Sequence, residues 1–415
     1  MTSPDPSAAP PDQKPLRIAV CLSHFHPTVG GAERQVFQLA ERWARWGHEP
    51  LVITRRLAGQ PGREIVEGIE IRRAVRTLSL GPLFGLSFLA SLSVALLRLA
   101  QRYDAILAAQ APWEAVAAGL VSPLLRKPSI ARLASVGPRG DLAQLRRAKG
   151  SWLWRRLALR NSLFLAPSKT ARQELAEIGC PADRIRSFAN GVDLGRFHPP
   201  AADVPADAAA RRERTAIFVG RLSEEKNPRA VLRAWKIANR EGKYRLLMVG
   251  AGPQSDALAA YARQENLKNV EFLGQRDDMP ELYRQAAACV QPSPHEGCSN
   301  ALLEAMASGL APIATRVPGN VDLVEHDVSG LLVELNDDEA AAAALVRVLE
   351  DAALRNRLAT AARQRVVERH DLDRVARDYL ELFAELRREF NHGDTEARRG
   401  ESKRKAGQGG LGKEH

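Results

Sequence analysis

Two glutamates flank the start of a short helix that the sequence predicts in the second half of the chain. Glu296 lies in the glycine-containing loop before this helix, and Glu304 lies about one turn inside it. A helix N-terminus presents unpaired N–H groups and the positive end of the helix dipole, which together suit a phosphate. The two carboxylates could then accept hydrogen bonds from hydroxyl groups on either side of a bound diphosphate. A sugar would supply these hydroxyls at one end and a ribose at the other.

The sequence around the glutamates also marks where this helix begins and ends. Pro292 follows an apolar run, and Ser299 and Asn300 are residue types that favour the N-cap position. Gly309 ends the helix before a predicted strand at 312–315. The stretch therefore has the order strand, loop, helix and strand.

A pair of permanent positive charges, Arg221 and Lys226, follows another predicted strand at 215–219. A sugar-nucleotide bond breaks by loss of a nucleoside diphosphate, and the negative charge that develops there must be stabilised. Arginine can grip two phosphate oxygens, whereas lysine acts as a point charge. Taken alone the pair would be read as surface charge, but with Glu296 and Glu304 downstream it predicts a diphosphate site.

Length and composition indicate a globular protein of two domains. A chain of 415 residues is too long for one ordinary core, and 45% apolar and 26% charged residues are typical of globular proteins. The cysteines form no C-x-x-C pair and no cluster with histidine, so we expect reduced thiols in a cytoplasmic protein and no zinc site or disulfide frame. They are Cys21, Cys180, Cys289 and Cys298.

The formal net charge of +11 suggests an anionic partner. Nucleic acid, an anionic membrane face and a phosphorylated substrate all fit such a charge. Aromatic residues are only 5% of the chain and are not interleaved with the basic runs, so we expect no nucleic-acid partner. Peripheral contact with the inner face of an anionic membrane stays open.

Residues 78–97 run without a charged side chain. This length would suit a membrane span, but the run contains Gly81, Pro82 and Gly85 and leads directly into a predicted sheet strand at 103–108. We favour a buried or groove-lining helix, with membrane-surface insertion and a span as the alternatives.

Strands and helices alternate regularly in both halves of the chain, which predicts an α/β protein with two doubly wound, Rossmann-like domains facing a cleft. In the first half, a basic helix at 144–159 is one of the predicted elements. The expected segments are a disordered lead at 1–15, a first domain at 16–199, a linker at 200–214, a second domain at 215–370, a closing amphipathic helix at 371–390 and a disordered basic tail at 391–415.

Three motifs together resemble those of the family-4 retaining glycosyltransferases, which are of the group-1 type and have the GT-B fold. They are E-G-C-S-N-A-L-L-E-A-M-A-S-G at 296–309, G-R-L-S-E-E-K-N at 220–227 and G-G-A-E-R at 30–34. The resemblance covers roughly residues 16–390. It implies an acceptor-side first domain, a second domain that binds the nucleotide-sugar, and a closing helix that returns to the first domain.

The resemblance also implies roles for individual residues. Arg221 and Lys226 would hold the diphosphate, Glu304 would take the ribose hydroxyls, and Glu296 would take the sugar hydroxyls. Arg221, Lys226 and Glu296 are the implied catalytic set. The other donor-binding residues would be Gly30, Gly31, Gly220, Gly250, Gly252, Arg276, Gly297, Cys298, Ser299 and Asn300.

The resemblance further implies transfer with retention of anomeric configuration, from a nucleotide-sugar substrate to a lipid-linked or polysaccharide acceptor. We expect no cofactor and no metal, because the site supplies its own arginine and lysine; Asp277 and Asp278 read better as a helix cap. A glutamate nucleophile and a front-face route with Glu296 as a positioning group both stay open. A non-catalytic protein, or an epimerase-like or phosphorylase-like enzyme on the same fold, is the alternative.

One departure from the family pattern concerns the acceptor side. Many relatives carry a histidine after the strand that corresponds to 129–133, and this chain has none there. Arg132, Ser135 and Asp141 are the nearby residues that it offers instead. The departure leaves the acceptor-side residue unassigned without affecting donor handling.

Overall fold

The computed structural model describes residues 14–26, 30–78, 83–110, 112–138, 140–201 and 205–408, with side chains as far as residue 390. The expected disordered lead lies almost wholly outside these residues, as does 409–415. The first half contains β1 (Arg17–Cys21), α1 (Gly31–Arg45), β2 (Glu49–Arg55), β3 (Arg63–Val66), β4 (Ile69–Val75), α2 (Leu83–Arg98), β5 (Ala105–Ala108), α3 (Trp113–Leu125), β6 (Ser129–Arg132), α4 (Asp141–Arg147), α5 (Ser151–Ala158), β7 (Leu163–Ala166), α6 (Lys169–Glu177) and β8 (Ile185–Ser187).

These strands form one sheet in the order β3-β4-β2-β1-β5-β6-β7-β8. All the neighbouring pairs are parallel except the edge pair β3 and β4, which is antiparallel. The inner strands are apolar and buried on both faces, as expected for a parallel sheet covered by helices. The order reverses between β1 and β5, so a crevice opens at the carboxyl ends of these two strands.

The second half repeats the alternation of strand and helix. It contains α7 (Ala206–Glu213), β9 (Thr215–Val219), α8 (Pro228–Ala238), β10 (Arg245–Val249), α9 (Ser255–Gln264), β11 (Val270–Gly274), α10 (Met279–Arg284), β12 (Ala288–Gln291), α11 (Asn300–Ala307), β13 (Ala311–Thr315), α12 (Pro318–Leu323), β14 (Leu331–Val333), α13 (Asp338–Glu350), α14 (Ala352–Arg369) and α15 (Leu372–Gln408). The second sheet is parallel, in the order β11-β10-β9-β12-β13-β14, and reverses between β9 and β12.

The doubly wound architecture predicted from the sequence is confirmed, and three local expectations need correction. The basic helix at 144–159 is two helices, α4 and α5, because Gly150 adopts a left-handed conformation with φ of 74°. The stretch 200–214 contains the helix α7. The last helix continues to Gln408 instead of ending at Phe390, since 391–408 is rich in glutamate, alanine, arginine and lysine, which favour helix.

The uncharged stretch at 78–97 forms most of α2, which packs against α3. Gly85 allows this contact, because a Cβ there would lie 2.5 Å from the indole of Trp113. One side of the helix is buried through residues such as Phe88 and Leu92, while leucines on its other side are exposed. Among the described helices, none combines the length and the apolar character that crossing a bilayer requires.

The chain crosses between the two sheets at two places that lie side by side. Val192 and Asp371 form a parallel β-bridge, and the Val192 N–H donates to the carbonyl of His370 at 2.7 Å. After the second crossing, α15 packs on α1, where the indole N–H of Trp43 donates to the carbonyl of Ala376 at 3.0 Å.

Arg42 joins both crossings to the first domain. Its guanidinium lies 2.6 Å from a carboxylate oxygen of Asp193 and 2.9 Å from one of Asp373, and its side chain is only 7% exposed. A single buried arginine thus connects α1, the first crossing and the start of α15.

We predict that Arg42→Ala lowers the free energy of unfolding by about 2 kcal/mol, because it leaves two partly buried carboxylates without their cation. Thermal unfolding would show this as a lower midpoint. Arg45→Ala is the matched control, since the Arg45 side chain is 59% exposed and exposed pairs contribute little. Equal midpoints for the two variants would contradict the structural role of Arg42.

Candidate active site

The loops that follow β9 and β12 bring two of the sequence-predicted residues together. These two strands are neighbours at the point where the order of the second sheet reverses, so both loops open into the crevice. Lys226 comes after β9 and Glu296 after β12, and the lysine ammonium lies 2.6 Å from Glu296 Oε1. Gln291, the last residue of β12, donates to the same oxygen at 2.8 Å. Glu296 is buried, so both donors fix a desolvated carboxylate.

Arg221 lies in the same loop as Lys226 but has a different setting. Its side chain is exposed and makes no hydrogen bond or ion pair with the described residues. The geometry thus pairs Lys226 with Glu296 and leaves the Arg221 guanidinium at the surface of the loop.

The N-terminus of α11 is capped and faces the opposite domain. The Ser299 hydroxyl accepts from the N–H of Leu302 at 3.3 Å, as its residue type predicts for an N-cap. The Asn300 side chain donates to the carbonyl of Gly31 at 2.8 Å, which places the glycine loop of the first domain against the helix start. Gly31 and Asn300, which were both predicted from the sequence as site residues, therefore meet across the cleft.

Asn190, in the segment of the first crossing, supports this junction. Its amide nitrogen donates to Asn300 Oδ1 at 2.6 Å and to the carbonyl of Cys298 at 3.2 Å, while its oxygen accepts from Arg132 at 2.5 Å. Burial raises the pKa of the Cys298 thiol to about 11, so this cysteine stays protonated. All four cysteines are free thiols.

Glu304 occupies the other end of the site, on the inner face of α11. The carboxylate is buried, and the hydroxyl of Tyr283 donates to its Oε2 at 3.2 Å. Arg34, from the first domain, brings its guanidinium to 3.8 Å from Oε1. Burial raises the pKa of Glu304 above its ordinary value, and the charge of Arg34 opposes that rise.

The glycines of the two loops after β9 and β10 have a packing reason that the sequence did not show. A Cβ on Gly250 would lie 1.9 Å from the carbonyl oxygen of Gly220, and one on Gly252 would lie 2.4 Å from that of Leu222. Gly250 also has φ of 133°. These loops therefore pack backbone against backbone.

Glycines also allow close contacts at the cleft. Gly30 is the N-cap of α1 and lies under the Glu33 carboxylate, where a Cβ would meet Oε2 at 2.2 Å. Gly297 faces the first domain, since its Cβ position lies 3.5 Å from the carbonyl of Ala134.

Arg276 lies at the far rim of the second domain. Its exposed guanidinium binds the carboxylate of Asp278 through bonds of 2.8 and 2.6 Å. Asp278 occupies the N-cap position of α10, as expected, but its side chain makes no capping hydrogen bond because Arg276 engages it.

The wall opposite Glu296 is built by the loop after β6. The Asp141 carboxylate accepts from the backbone N–H of Ala134 at 2.7 Å and from the Ser135 hydroxyl at 2.7 Å. Two of the residues proposed in place of the missing histidine are thus engaged in shaping this loop, and Arg132 is engaged with Asn190. Behind the loop, the Ser23 hydroxyl donates to the buried carboxyl of Glu114 at 2.5 Å.

Comparison with known proteins agrees with this geometry. The model of Glycosyltransferase Family 4 matches residues 29–196, and that of Glycosyl transferases group 1 matches residues 203–365. The D-inositol 3-phosphate glycosyltransferase of Salinispora tropica is 30% identical over 89% of this chain and 86% of its own. The chain belongs to the group 1, family 4 glycosyltransferases. A GDP-mannose-dependent alpha-mannosyltransferase of Mycolicibacterium smegmatis is also 30% identical to this glycosyltransferase, over 85% of this chain and 93% of its own.

Solved structures identify the fold as GT-B. Anabaena HepE in complex with UDP superposes with a TM-score of 0.73 at 21% identity, covering 89% of this glycosyltransferase and 100% of that chain. WaaG, a glycosyltransferase involved in lipopolysaccharide biosynthesis, gives a TM-score of 0.68 at 17% identity, with coverages of 88% and 99%. The family and fold predicted from the motifs are therefore confirmed.

Sequence reasoning missed four residues that shape the site of this glycosyltransferase. Gln291 ends the apolar strand β12 and Tyr283 lies within a helix, so neither residue type marks a site, and Asn190 precedes a glycine as in an ordinary turn. Arg34 ends the G-G-A-E-R motif, so its position was visible although its contact across the cleft was not. The contacts of Arg34 and Asn190 depend on the pairing of the two domains. Those of Gln291 and Tyr283 depend on packing within the second domain, and no local pattern reports either.

We predict a pH-dependent stability from Glu114. Burial raises its pKa to about 7 from an ordinary value of 4.5. Between these two values the folded protein keeps a proton that the unfolded chain has released, so stability falls as the pH rises through this window. Glu114→Gln abolishes this decline, and the variant should gain about 3 kcal/mol relative to wild type between pH 4.5 and pH 8.

Urea unfolding at the two pH values measures the gain. Glu177→Gln, at a side chain that is 60% exposed, should show no comparable pH-dependent gain. A constant difference between Glu114→Gln and wild type at both pH values would show that Glu114 does not titrate in this window.

Proposed function

We propose that this glycosyltransferase transfers a sugar, with retention of configuration, from a nucleotide-sugar donor to a lipid-linked or polysaccharide acceptor. The observation that carries the proposal is the arrangement around the start of α11. Lys226 pairs with Glu296 before the helix, and the buried Glu304 lies within its first turns. Membership in a glycosyltransferase family argues against the epimerase-like alternative. The intact donor set argues against a non-catalytic protein.

The diphosphate would lie between the α11 N-terminus and the loop after β9. Lys226 sits at this place, and Arg221, in the same loop, has an exposed guanidinium that is available to a ligand. Both cations and the helix dipole would stabilise the charge that develops on the leaving diphosphate. Because the protein supplies this positive charge itself, we propose that transfer needs no divalent metal.

The contacts of Glu296 favour a positioning role over a nucleophilic one. Lys226 and Gln291 both donate to Oε1, and hydrogen bonding by an ammonium group weakens a carboxylate oxygen as a nucleophile. The other oxygen of Glu296, Oε2, is then left to accept a hydrogen bond from a hydroxyl group of the transferred sugar. We therefore favour the front-face route, in which the leaving phosphate takes the proton of the acceptor.

The acceptor class is proposed from relatives. A UDP-Gal:alpha-D-GlcNAc-diphosphoundecaprenol alpha-1,3-galactosyltransferase of Escherichia coli is 31% identical over 49% of this chain and 54% of its own. A phosphatidyl-myo-inositol mannosyltransferase of Mycolicibacterium smegmatis is 33% identical over 53% of this chain and 56% of its own. Both names describe acceptors attached to lipid, which supports a lipid-linked acceptor here.

The surface of the first domain supports peripheral membrane contact, on the cytoplasmic side. Four exposed apolar side chains follow one face of α2, at helical spacing: Leu83, Leu86, Val94 and Leu97. Trp113 joins this helix to α5 by an edge-on contact with Trp154, and the neighbouring Trp152 is 64% exposed. Exposed Arg147, Lys149 and Arg156 surround Trp152 in sequence, so apolar and basic groups occur together, as at an anionic lipid surface.

We predict that one series among UDP-, GDP-, ADP- and dTDP-sugars raises the midpoint of thermal unfolding of the wild-type protein. Glu304→Ala and Arg221→Ala should lose that shift. Lys226→Ala should lower kcat by about 100-fold or more, because it removes charge stabilisation of the leaving group.

Lys236→Ala is the matched control, since Lys236 is 53% exposed and pairs with Glu265 away from the cleft. Turnover should persist in excess EDTA, and its loss would contradict metal independence. A shift with NAD(H) alone, or none with any sugar nucleotide, would contradict the proposed donor.

We also predict that the protein floats with vesicles containing phosphatidylglycerol and much less with pure phosphatidylcholine. Leu86→Glu and Leu97→Glu should each weaken this binding about tenfold, since each removes a leucine that would insert into the lipid surface and adds a negative charge. Leu335→Glu changes a similarly exposed leucine, at 41%, in the second domain and should have no effect. Equal binding by all three variants would exclude the α2 face as the contact.

A further inference from the structure

Tyr283 is a buried phenol whose hydroxyl lies inside the donor site. The residue is on α10, has no exposed surface, and packs edge-on against Phe197 with ring centroids 5.9 Å apart. A phenylalanine would satisfy the packing alone, so the hydroxyl needs its own reason. Burial and the neighbouring Glu304 raise the pKa of Tyr283 well above its ordinary value, which keeps the hydroxyl protonated as a donor.

This hydroxyl has one hydrogen and two acceptors within reach. They are the carbonyl of Ala301 at 3.1 Å and Glu304 Oε2 at 3.2 Å. Both belong to the first turns of α11, so the phenol ties the Glu304 side chain to the backbone of its own helix. The other carboxylate oxygen, Oε1, faces Arg34 at 3.8 Å on the opposite wall.

The two oxygens of Glu304 are thus in different settings, one held within the second domain and one directed at the cleft. The last torsion of a glutamate side chain is broad, so a free carboxylate would rotate. Recognition of a vicinal diol by one carboxylate requires a defined orientation, and fixing it before binding avoids an entropic cost.

We infer that Tyr283 is a positioning residue for nucleotide recognition: its hydroxyl orients Glu304 so that the carboxylate can read the 2′- and 3′-hydroxyls of the donor ribose. The inference rests on the proposed function, in which Glu304 receives that ribose. It assigns the discrimination between ribose and deoxyribose nucleotides to a pair of residues, only one of which touches the ligand.

The test measures the preference for the diol directly. Dissociation constants of UDP, GDP and ADP, and of their 2′,3′-dideoxy counterparts, are determined by calorimetry for wild type, Tyr283→Phe, Glu304→Gln and the double variant. Wild type should prefer the diol form of the accepted nucleotide by about 30-fold. Tyr283→Phe should reduce that preference about fivefold or more while leaving the affinity for the dideoxy nucleotide unchanged.

A purely structural hydroxyl would behave differently. Tyr103→Phe provides this comparison, because Tyr103 is equally buried and donates to the carbonyl of Leu96 at 2.8 Å, in the first domain. It should lower the thermal midpoint without changing the diol preference. Tyr283→Phe keeps the buried ring and its contact with Phe197, so the variant is expected to fold.

The outcomes separate the inference from the function on which it rests. In the double variant, the loss should not exceed that of Glu304→Gln, because both residues act through one carboxylate. A full diol preference in Tyr283→Phe together with its loss in Glu304→Gln would overturn the inference and leave the ribose site intact. A full preference in Glu304→Gln, or no nucleotide binding by wild type, would overturn the ribose assignment itself.

Discussion

The amide side chain of Asn300 is held by two groups that lie outside its own domain, and the arrangement of the site depends on it. The amide nitrogen of Asn300 donates to the carbonyl of Gly31, and its amide oxygen accepts from the side chain of Asn190. The start of α11 is therefore fixed relative to the glycine loop of the first domain and to the segment where the chain crosses between domains. A rotation of one domain against the other must break these hydrogen bonds. The relative position of the two domains and the geometry at the start of α11 are therefore linked.

Charge is distributed unevenly around this junction. The N-terminus of α11 carries the positive end of the helix dipole, and Arg132 is buried close by. Among the described residues, its guanidinium donates only to neutral groups, the Asn190 side chain at 2.5 Å and the Ala109 carbonyl at 3.5 Å. A buried guanidinium bound only to neutral groups is costly. Negative charge brought to the α11 N-terminus would offset that cost, which is a further reason why this end of the helix suits a diphosphate.

Much of the architecture could be predicted because it depends on local patterns. The apolar runs of β9 and β12 and the glycine and proline signals around them define strand–loop–helix units whose loops must open at one edge of a parallel sheet. The cap at Ser299 followed from its residue type. The break at Gly150 was missed because a glycine inside a helical pattern does not itself report its φ, and the length of α15 was missed because polar composition was read as disorder.

The residues of the site likewise divide into those that local patterns predict and those that they do not. Lys226 and Glu296 were predicted because their two motifs place each of them in a loop at the carboxyl end of a strand. Tyr283 and Gln291 were not, since their polar groups matter only after neighbouring strands and helices pack together. A tyrosine in a helix and a glutamine at the end of a buried strand are equally compatible with ordinary core.

The acceptor side could not be predicted for a different physical reason. A histidine at the cleft would reveal itself by residue type, whereas Ser135 and Asp141 are engaged with each other and with the backbone of their own loop. This loop meets the loop of Glu296 at Gly137, whose Cβ position lies 3.4 Å from His295, and at the carbonyl of Ala134, 3.5 Å from the Cβ position of Gly297. The shape of a loop and the direction of its backbone groups are not encoded by a side-chain motif. The conformation of this loop, which the Asp141 carboxylate maintains from behind, is therefore what the sequence could not report.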